Sequence, residues 1–273
     1  MPPRVTLVGV PWDRSSSFQR GAAEAPDAIR AALWSPSSNT WNERGDDVSQ
    51  AQVLGDAGNL PLPEEPAAAR DAITNGVSAL LAAGHRPLVL GGDHSITYPV
   101  LRAWQGRGPA PVVLHFDAHG DMYDEFEGDR YSHACPFARV MEEGLAARLI
   151  QVGVRTLTGH LRDQVARFGV AVYPPSRWRD AAEAVRTLEA PVYISLDIDV
   201  LEPMLAPGIS HPEPGGLTPR EVLEVLAAGR APAVGADVVE YNPANDFRNL
   251  TAFVAAKFVK ELAGLLAGRE MVG

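Results

Sequence analysis

Val112-Val113-Leu114-His115-Phe116-Asp117-Ala118-His119-Gly120-Asp121 is the stretch whose reading decides the fold. Its first five residues are mostly apolar and predict a short buried strand. Asp117, His119 and Asp121 then occupy every second position as that strand runs out. In extended backbone alternate side chains share a face, so two carboxylates and an imidazole are presented together. Uncompensated carboxylates at the end of a buried strand are costly, and a metal cation removes that cost. The competing reading is an Asp-rich turn that merely caps the following helix.

Two further segments tip the balance toward metal. Gly91-Gly92-Asp93-His94-Ser95 follows the apolar run from Pro87 to Leu90, and Ser195-Leu196-Asp197-Ile198-Asp199 follows Pro191 to Ile194. Three strands thus end in ligand-type residues. In a parallel sheet all strand carboxyl ends lie at one edge, where ligands bind.

Gly-Gly-Asp-His-Ser, Asp-Ala-His-Gly-Asp and Ser-Leu-Asp-Ile-Asp together resemble the ureohydrolase family of arginases and agmatinases. The resemblance runs along most of the chain, through Gly9-Val10-Pro11-Trp12-Asp13, Ser132-His133, Ala206-Pro207-Gly208, Glu213-Pro214-Gly215-Gly216 and Glu240-Tyr241-Asn242-Pro243. It implies an α/β fold: a three-layer αβα domain around an open, mostly parallel sheet of about eight strands.

Composition agrees. A chain of 273 residues that is 46% hydrophobic can bury a substantial core. A net charge of −10 disfavours nucleic acid or an anionic membrane as partner and suits a cationic small molecule. Met1-Pro2-Pro3-Arg4 leads straight into a strand rather than a secretory signal, and no apolar run is long enough to span a membrane, so a cytoplasmic protein is expected. The lone Cys135 excludes an intrachain disulfide.

Periodicity and turn signals predict strands over residues 4–10, 51–54, 87–90, 112–116, 149–154, 170–173, 192–197 and 233–239. Helices are predicted from about residue 26, over 66–83, 94–104, 136–144, 161–168 and 181–188, from 219 to about 229, and over 250–266. Thr218-Pro219-Arg220-Glu221 reads as a capping box with proline at the first helical position. Residues 35–50 lack periodicity and read as an exposed connection. Continuous alternation of strand and helix implies parallel βαβ units in one domain spanning 1–273; a closed eight-stranded barrel is the alternative, and the resemblance favours the open sheet.

Carried over by motif, the resemblance implies that His94, Asp117, His119, Asp121, Asp197 and Asp199 hold two Mn²⁺, with Asp117 and Asp197 bridging. An oxygen-dominated ligand set suits manganese better than zinc. A bridging hydroxide would attack the guanidinium carbon to give urea and an amine. His133 would shuttle protons, Glu240 would pair with the guanidinium nitrogens, and the protein would be a homo-oligomer, a trimer or hexamer. His85, His115 and His160 read as a surface, a strand and a loop residue. Asp93, Asp237 and Asn242 read equally as ligand-orienting partners or turn caps. Cys135 has the nucleophile of a cysteine-based mechanism as its sharp reading and core packing as its plain one.

The chain departs from arginases at three places. Asp129 and Tyr131 stand where a Ser and an Asn hold the amino-acid end of arginine, so Asp129 is a candidate for a cationic substrate tail such as that of agmatine. His211 replaces a threonine near the guanidinium, and Glu202-Pro203 replaces the usual Asp-Pro. Agmatine, arginine and N-hydroxyarginine therefore all remain candidate substrates, with His211, Asp129 and Glu240 as substrate-binding residues. The rival readings are an inactive homologue that binds a guanidino metabolite, and a zinc deacetylase-like hydrolase on the same sheet.

Overall fold

Strand-forming apolar runs alternate with amphipathic helices along the whole chain, and the computed structural model, which describes residues 5–268, folds them into one sheet. Arg4, expected to open the first strand, lies outside the described residues. The strands are β1 (Val5–Gly9), β2 (Leu54–Asn59), β3 (Arg86–Leu90), β4 (Val112–Phe116), β5 (Arg148–Val152), β6 (Ala171–Tyr173), β7 (Val192–Asp197) and β8 (Ala233–Val239). Their order is β2-β1-β3-β8-β7-β4-β5-β6, and every pairing is parallel.

The helices are α1 (Ala25–Leu33), α2 (Pro66–Ala82), α3 (Thr97–Arg102), α4 (Pro136–Glu142), α5 (Gly159–Phe168), α6 (Trp178–Arg186), α7 (Pro219–Ala228) and α8 (Leu250–Ala267). Strand alternation sorts the core into two layers. Leu114, Phe116, Ile194 and Leu196 face α1, α6, α7 and α8, whereas Val113, Tyr193 and Leu149 face α2 to α5. The expected αβα architecture is therefore the observed one. Among the described residues no helix is long and apolar enough to cross a membrane.

Three local differences have physical causes. The second strand was expected at 51–54, but those residues turn back onto Gln50, and the ladder to β1 is made by Leu54–Asn59. An edge strand draws its order from its neighbour, so a Gly- and Asp-rich segment suffices once Asp56 is clamped by Arg30 of α1 at 2.8 Å. The helix expected over 94–104 splits into a 3-10 turn, His94–Ile96, and α3. The connection over 35–50 is not merely exposed. Val48, Asn42 and Asp46 are buried, Asn42 Nδ2 bonds the Lys260 carbonyl, and the backbone N–H of Glu43 donates to Glu261 of α8. The capping box at Thr218 and Glu221 is present in both directions.

One glycine decides how the strand ends meet. A Cβ on Gly92 would lie 1.6 Å from the carbonyl oxygen of Trp12. That carbonyl accepts from Asp93 N at 2.8 Å, and Gly92 O accepts from Glu240 N at 2.9 Å. The ends of β1, β3 and β8 are thus held at backbone contact distance. Gly92→Ala is expected to lower unfolding free energy by about 2–3 kcal/mol or more, because backbone rather than a flexible side chain must move. Gly159→Ala, with open space at the first residue of α5, is expected to be neutral or to stabilise by up to about 0.5–1 kcal/mol. Urea denaturation of both variants separates the two outcomes.

Candidate metal centre

The four central strands β3, β8, β7 and β4 are neighbours, and each delivers polar residues from its carboxyl end. His94 follows β3, Glu240 follows β8, Asp197 and Asp199 end and follow β7, and Asp117, His119 and Asp121 follow β4. Asp121 and Glu240 take positive φ angles of 46° and 61°. Backbone strain of about 1–3 kcal/mol at a non-glycine residue persists where surroundings enforce it, commonly at functional sites.

His94 Nδ1 lies 3.1 Å from each of three oxygens, Asp117 Oδ2, Asp121 Oδ2 and Asp197 Oδ2. Beside this cluster, His119 Nδ1 lies 2.9 Å from Asp199 Oδ2 and 3.4 Å from Asp117 Oδ1. Asp117 belongs to both groups, one oxygen to each. All six sequence-predicted ligand residues are therefore brought together, five of them buried and His119 partly so.

Hydrogen bonding fixes what His94 offers. Ser195 Oγ donates its proton to Asp237 Oδ1 at 2.7 Å, so it accepts from His94 Nε2–H at 2.9 Å. The lone pair of Nδ1 then points at three carboxylate oxygens and has no hydrogen-bond partner among the described residues. Such an array of acceptors is repulsive until a cation sits among them. Burial and the neighbouring carboxylates Asp199 and Asp117 push Asp197 well above the ordinary carboxylate range, and burial followed by Asp117 raises Asp199. The donor chemistry fits a pair of divalent cations sharing Asp117.

A row of buried polar residues lies one register step behind the ligands. In the sheet Gln151 pairs with His115, His115 with Ser195, and Ser195 with Asp237, across β5, β4, β7 and β8. Gln151 Nε2 donates to His115 Nδ1 at 3.1 Å, which leaves His115 Nε2–H to donate to Asp117 Oδ2 at 2.7 Å. Asp237 also accepts from Tyr193 at 2.6 Å and Thr97 at 2.9 Å. Of this row, Asp237 is read from sequence as a ligand-orienting partner or a turn cap, and His115 only as a strand residue. His115 is more than a strand residue: it is fully buried, packs 4.0 Å from the Phe137 ring and orients Asp117.

Glu240 Oε1 accepts from His94 N at 2.9 Å and from His133 Nδ1 at 3.0 Å, while Oε2 is buried without a hydrogen-bond partner among the described residues. Burial opposes charge on both members of this pair, yet each stabilises the other. Glu240 raises His133 to about 9, and the His133 cation holds Glu240 below its ordinary range. Both line a cavity of about 300 Å³ whose walls include His119, Asp121, Phe126, Thr158, His211 and Glu213. The His211 ring lies 4.8 Å from that of His133, centroid to centroid, tilted by 40°, and burial lowers its pKa.

The remaining candidates fall elsewhere. Asp129 is exposed, accepts from Tyr131 N at 2.7 Å, and is not among the cavity-lining residues. Burial, then Asp121, pushes the Cys135 thiol up to about 12, and the side chain is wholly buried, so it packs rather than attacks. His160 sits in the first turn of α5, not in a loop, stacks on Tyr123 and accepts from Asp124 N. His85 bonds Thr6 Oγ1 at 3.0 Å. Asp93 caps the His94 turn, and Asn242 caps the turn after β8.

An αβα sheet with carboxylates and imidazoles converging at its carboxyl edge is the framework of a metal-binding protein of the α/β class. Residues 3–264 match the model of the arginase family. The chain is 44% identical over 276 residues to a mitochondrial arginase of Medicago truncatula, covering 96% of this chain and 82% of the relative. It is 37% identical over 279 residues to a guanidinopropionase of Pseudomonas aeruginosa, covering 97% and 87%. The solved arginase from Medicago truncatula superposes with a TM-score of 0.92 at 42% identity, covering 97% of this chain and 88% of that one. The chain belongs to the arginase family and is a hydrolase of guanidino C–N bonds.

The polar row yields a prediction. His115→Phe keeps ring volume against Phe137 but removes the donor to Asp117. Metal affinity measured by calorimetry is expected to fall about 10–100-fold, the usual cost of losing an orienting partner. An unchanged affinity would show that Asp117 is placed by its backbone alone.

Proposed function

We propose that the protein is a binuclear manganese amidinohydrolase whose preferred substrate is arginine, cleaved to urea and an amine. The observation that carries this reading is the lone pair of His94 Nδ1 held 3.1 Å from three carboxylate oxygens, next to the unpartnered Oε2 of Glu240. His94, Asp121, Asp117 and Asp197 would hold one ion, and His119, Asp199, Asp117 and Asp197 the other. Four carboxylates with only two imidazoles favour Mn²⁺ over Zn²⁺. When bound, the two ions supply an activated water at neutral pH.

The chain's own residues do the rest. Glu240 Oε2 accepts from the guanidinium nitrogens and holds the carbon over the metal-ligand cluster. His133, protonated because Glu240 stabilises it, gives its proton to the departing amine. Tyr123, Phe126 and Leu161 shed water from one wall. Two features support arginine over agmatine. Asp129, the acid suited to a bare cationic tail, lies outside the cavity, where Thr156, Thr158 and Glu213 line the wall instead. The relatives at 44–46% identity are named arginases, whereas the N(1)-aminopropylagmatine ureohydrolase of Thermus thermophilus is 36% identical.

The test is kcat/KM for urea or hydroxyurea release from arginine, agmatine, N-hydroxyarginine and 4-guanidinobutyrate, in protein loaded with Mn²⁺ or Zn²⁺. Arginine with Mn²⁺ is expected to be best. Turnover of none of them would leave the binding-only reading, and activity with a single zinc would favour the deacetylase-like one. Asp117→Asn is expected to lose most bound metal by elemental analysis, since one carboxylate serves both ions.

His211 stands against His133 at the cavity wall, so its ring meets any substituent on the guanidino group. His211→Thr is expected to change the kcat/KM ratio of N-hydroxyarginine over arginine about tenfold, or roughly 1.4 kcal/mol of transition-state discrimination. An unchanged ratio with intact metal content would remove His211 from substrate recognition.

A further inference from the structure

His133 is buried, and both of its ring nitrogens are engaged. Nδ1 faces Glu240 at 3.0 Å; Nε2 lies 2.9 Å from the hydroxyl of Ser17, an exposed residue of the loop after β1. The same hydroxyl lies 3.5 Å from Nε2 of His211. Ser17 therefore has one proton and two imidazole neighbours. With a proton on His133 Nε2, Ser17 must accept from it and is free to donate to Nε2 of His211 in the tautomer that carries its proton on Nδ1. When His133 gives that proton up, the hydroxyl has to turn and donate to His133, releasing His211.

The loop is built to keep Ser17 in place. Ser15 N donates to Asp93 Oδ2 at 3.0 Å, and Ser15 O accepts from His133 N at 3.1 Å, so the loop is fixed to the backbone that carries the histidine. On the far side, Gln19 O accepts from Ser210 Oγ at 2.8 Å and Asn242 Nδ2 at 3.2 Å, tying the loop to the segment bearing His211. Ser17 is suspended between two anchored segments, with solvent at its back.

We propose that Ser17 is a proton-relay residue that connects His133 to His211 and bulk water. In one passage the N–H bond of His133 breaks as an O–H bond forms on Ser17, and the original hydroxyl proton moves to His211 Nε2 or to a water molecule. One proton is transferred, no electron moves, and the reverse passage recharges His133. The inference rests on the amidinohydrolase reading for its catalytic consequence, but the hydrogen-bond coupling it asserts exists without turnover.

Ser17→Ala and Ser17→Thr test it. With the best guanidino substrate, Ser17→Ala is expected to lower kcat about 3–10-fold with KM within about twofold. Added imidazole buffer should restore kcat in Ser17→Ala, and Ser17→Thr should retain it without buffer. A raised KM with intact kcat would make Ser17 a substrate contact instead, and a deficit that buffer leaves untouched would reduce it to a structural prop; either overturns the relay. Nitrogen-15 histidine NMR on the purified protein needs no substrate. The His211 Nε2 signal is expected to respond to protonation of His133 in the parent and not in Ser17→Ala. Uncoupled signals in the parent would sink the relay even if the enzyme is active, whereas coupled signals in a protein inert toward every guanidino compound would sink the catalytic reading alone.

Discussion

Four carboxylates gathered at the end of a buried sheet are the constraint to which the rest of the structure answers. Ionised groups in an apolar interior are tolerated only when paired, hydrogen-bonded or metal-bound. Asp117, Asp197 and Asp199 are all buried, and each also accepts from a backbone N–H: Asp117 from His119, Asp197 from Asp199, and Asp199 from Ala118. These bonds position the carboxylates and occupy one oxygen of each. They leave a surplus of negative charge on the remaining oxygens, and that surplus is what a divalent pair neutralises. The centre and the fold are therefore coupled, because the carboxylates are well solvated by the site only in the metal-bound state.

The residues that cost most to bury are also those most legible in the sequence. The boundaries of β4, β7 and β8 coincide with expectation because each is an apolar run cut off by a charged or turn-forming residue. The same abrupt switch from apolar to acidic marks the residues that the fold gathers into the cluster. The edge strand β2 was shifted because its exposed residues carry no periodicity, and its order comes from pairing with β1. The support row was missed for a different reason. Gln151, His115 and Ser195 are each unremarkable in their own strands, and only sheet register aligns them. Sequence fixes alternation within a strand but not which strands are neighbours, and the order β8-β7-β4-β5 is far from chain order. Ser17 was invisible for the same reason at a greater separation, 116 residues from the histidine it bonds.

The rim of the cavity follows other rules. Asp129 looked suited to a substrate tail because it is acidic and precedes His133, yet a short antiparallel bridge with Phe126 turns it outward and leaves Phe126 at the cavity wall. The loop is held from below by Arg139, a nearly buried guanidinium that donates to the carbonyls of Asp124 and Arg130 and pairs with Glu142 at 2.8 Å. A charged sequence pattern thus encoded a turn and its anchor, and the wall it presents is aromatic.

Arg155 shows how the turn after β7 is tied to the rim of the cavity. Its guanidinium donates to the carbonyls of Gly153, Asp199, Val200, Leu201 and Glu213 and forms no ion pair among the described residues. Carbonyl dipoles satisfy its N–H groups without cancelling its charge, so a full positive charge remains against the backbone of Asp199. A carboxylate partner would hold the arginine equally well, but it would add a further negative charge beside a centre that already has a surplus. Anchoring by carbonyls alone joins the Asp199 turn to the Glu213 rim. The same side chain therefore holds the turn that carries Asp199 at a set distance from the Glu213 wall of the cavity.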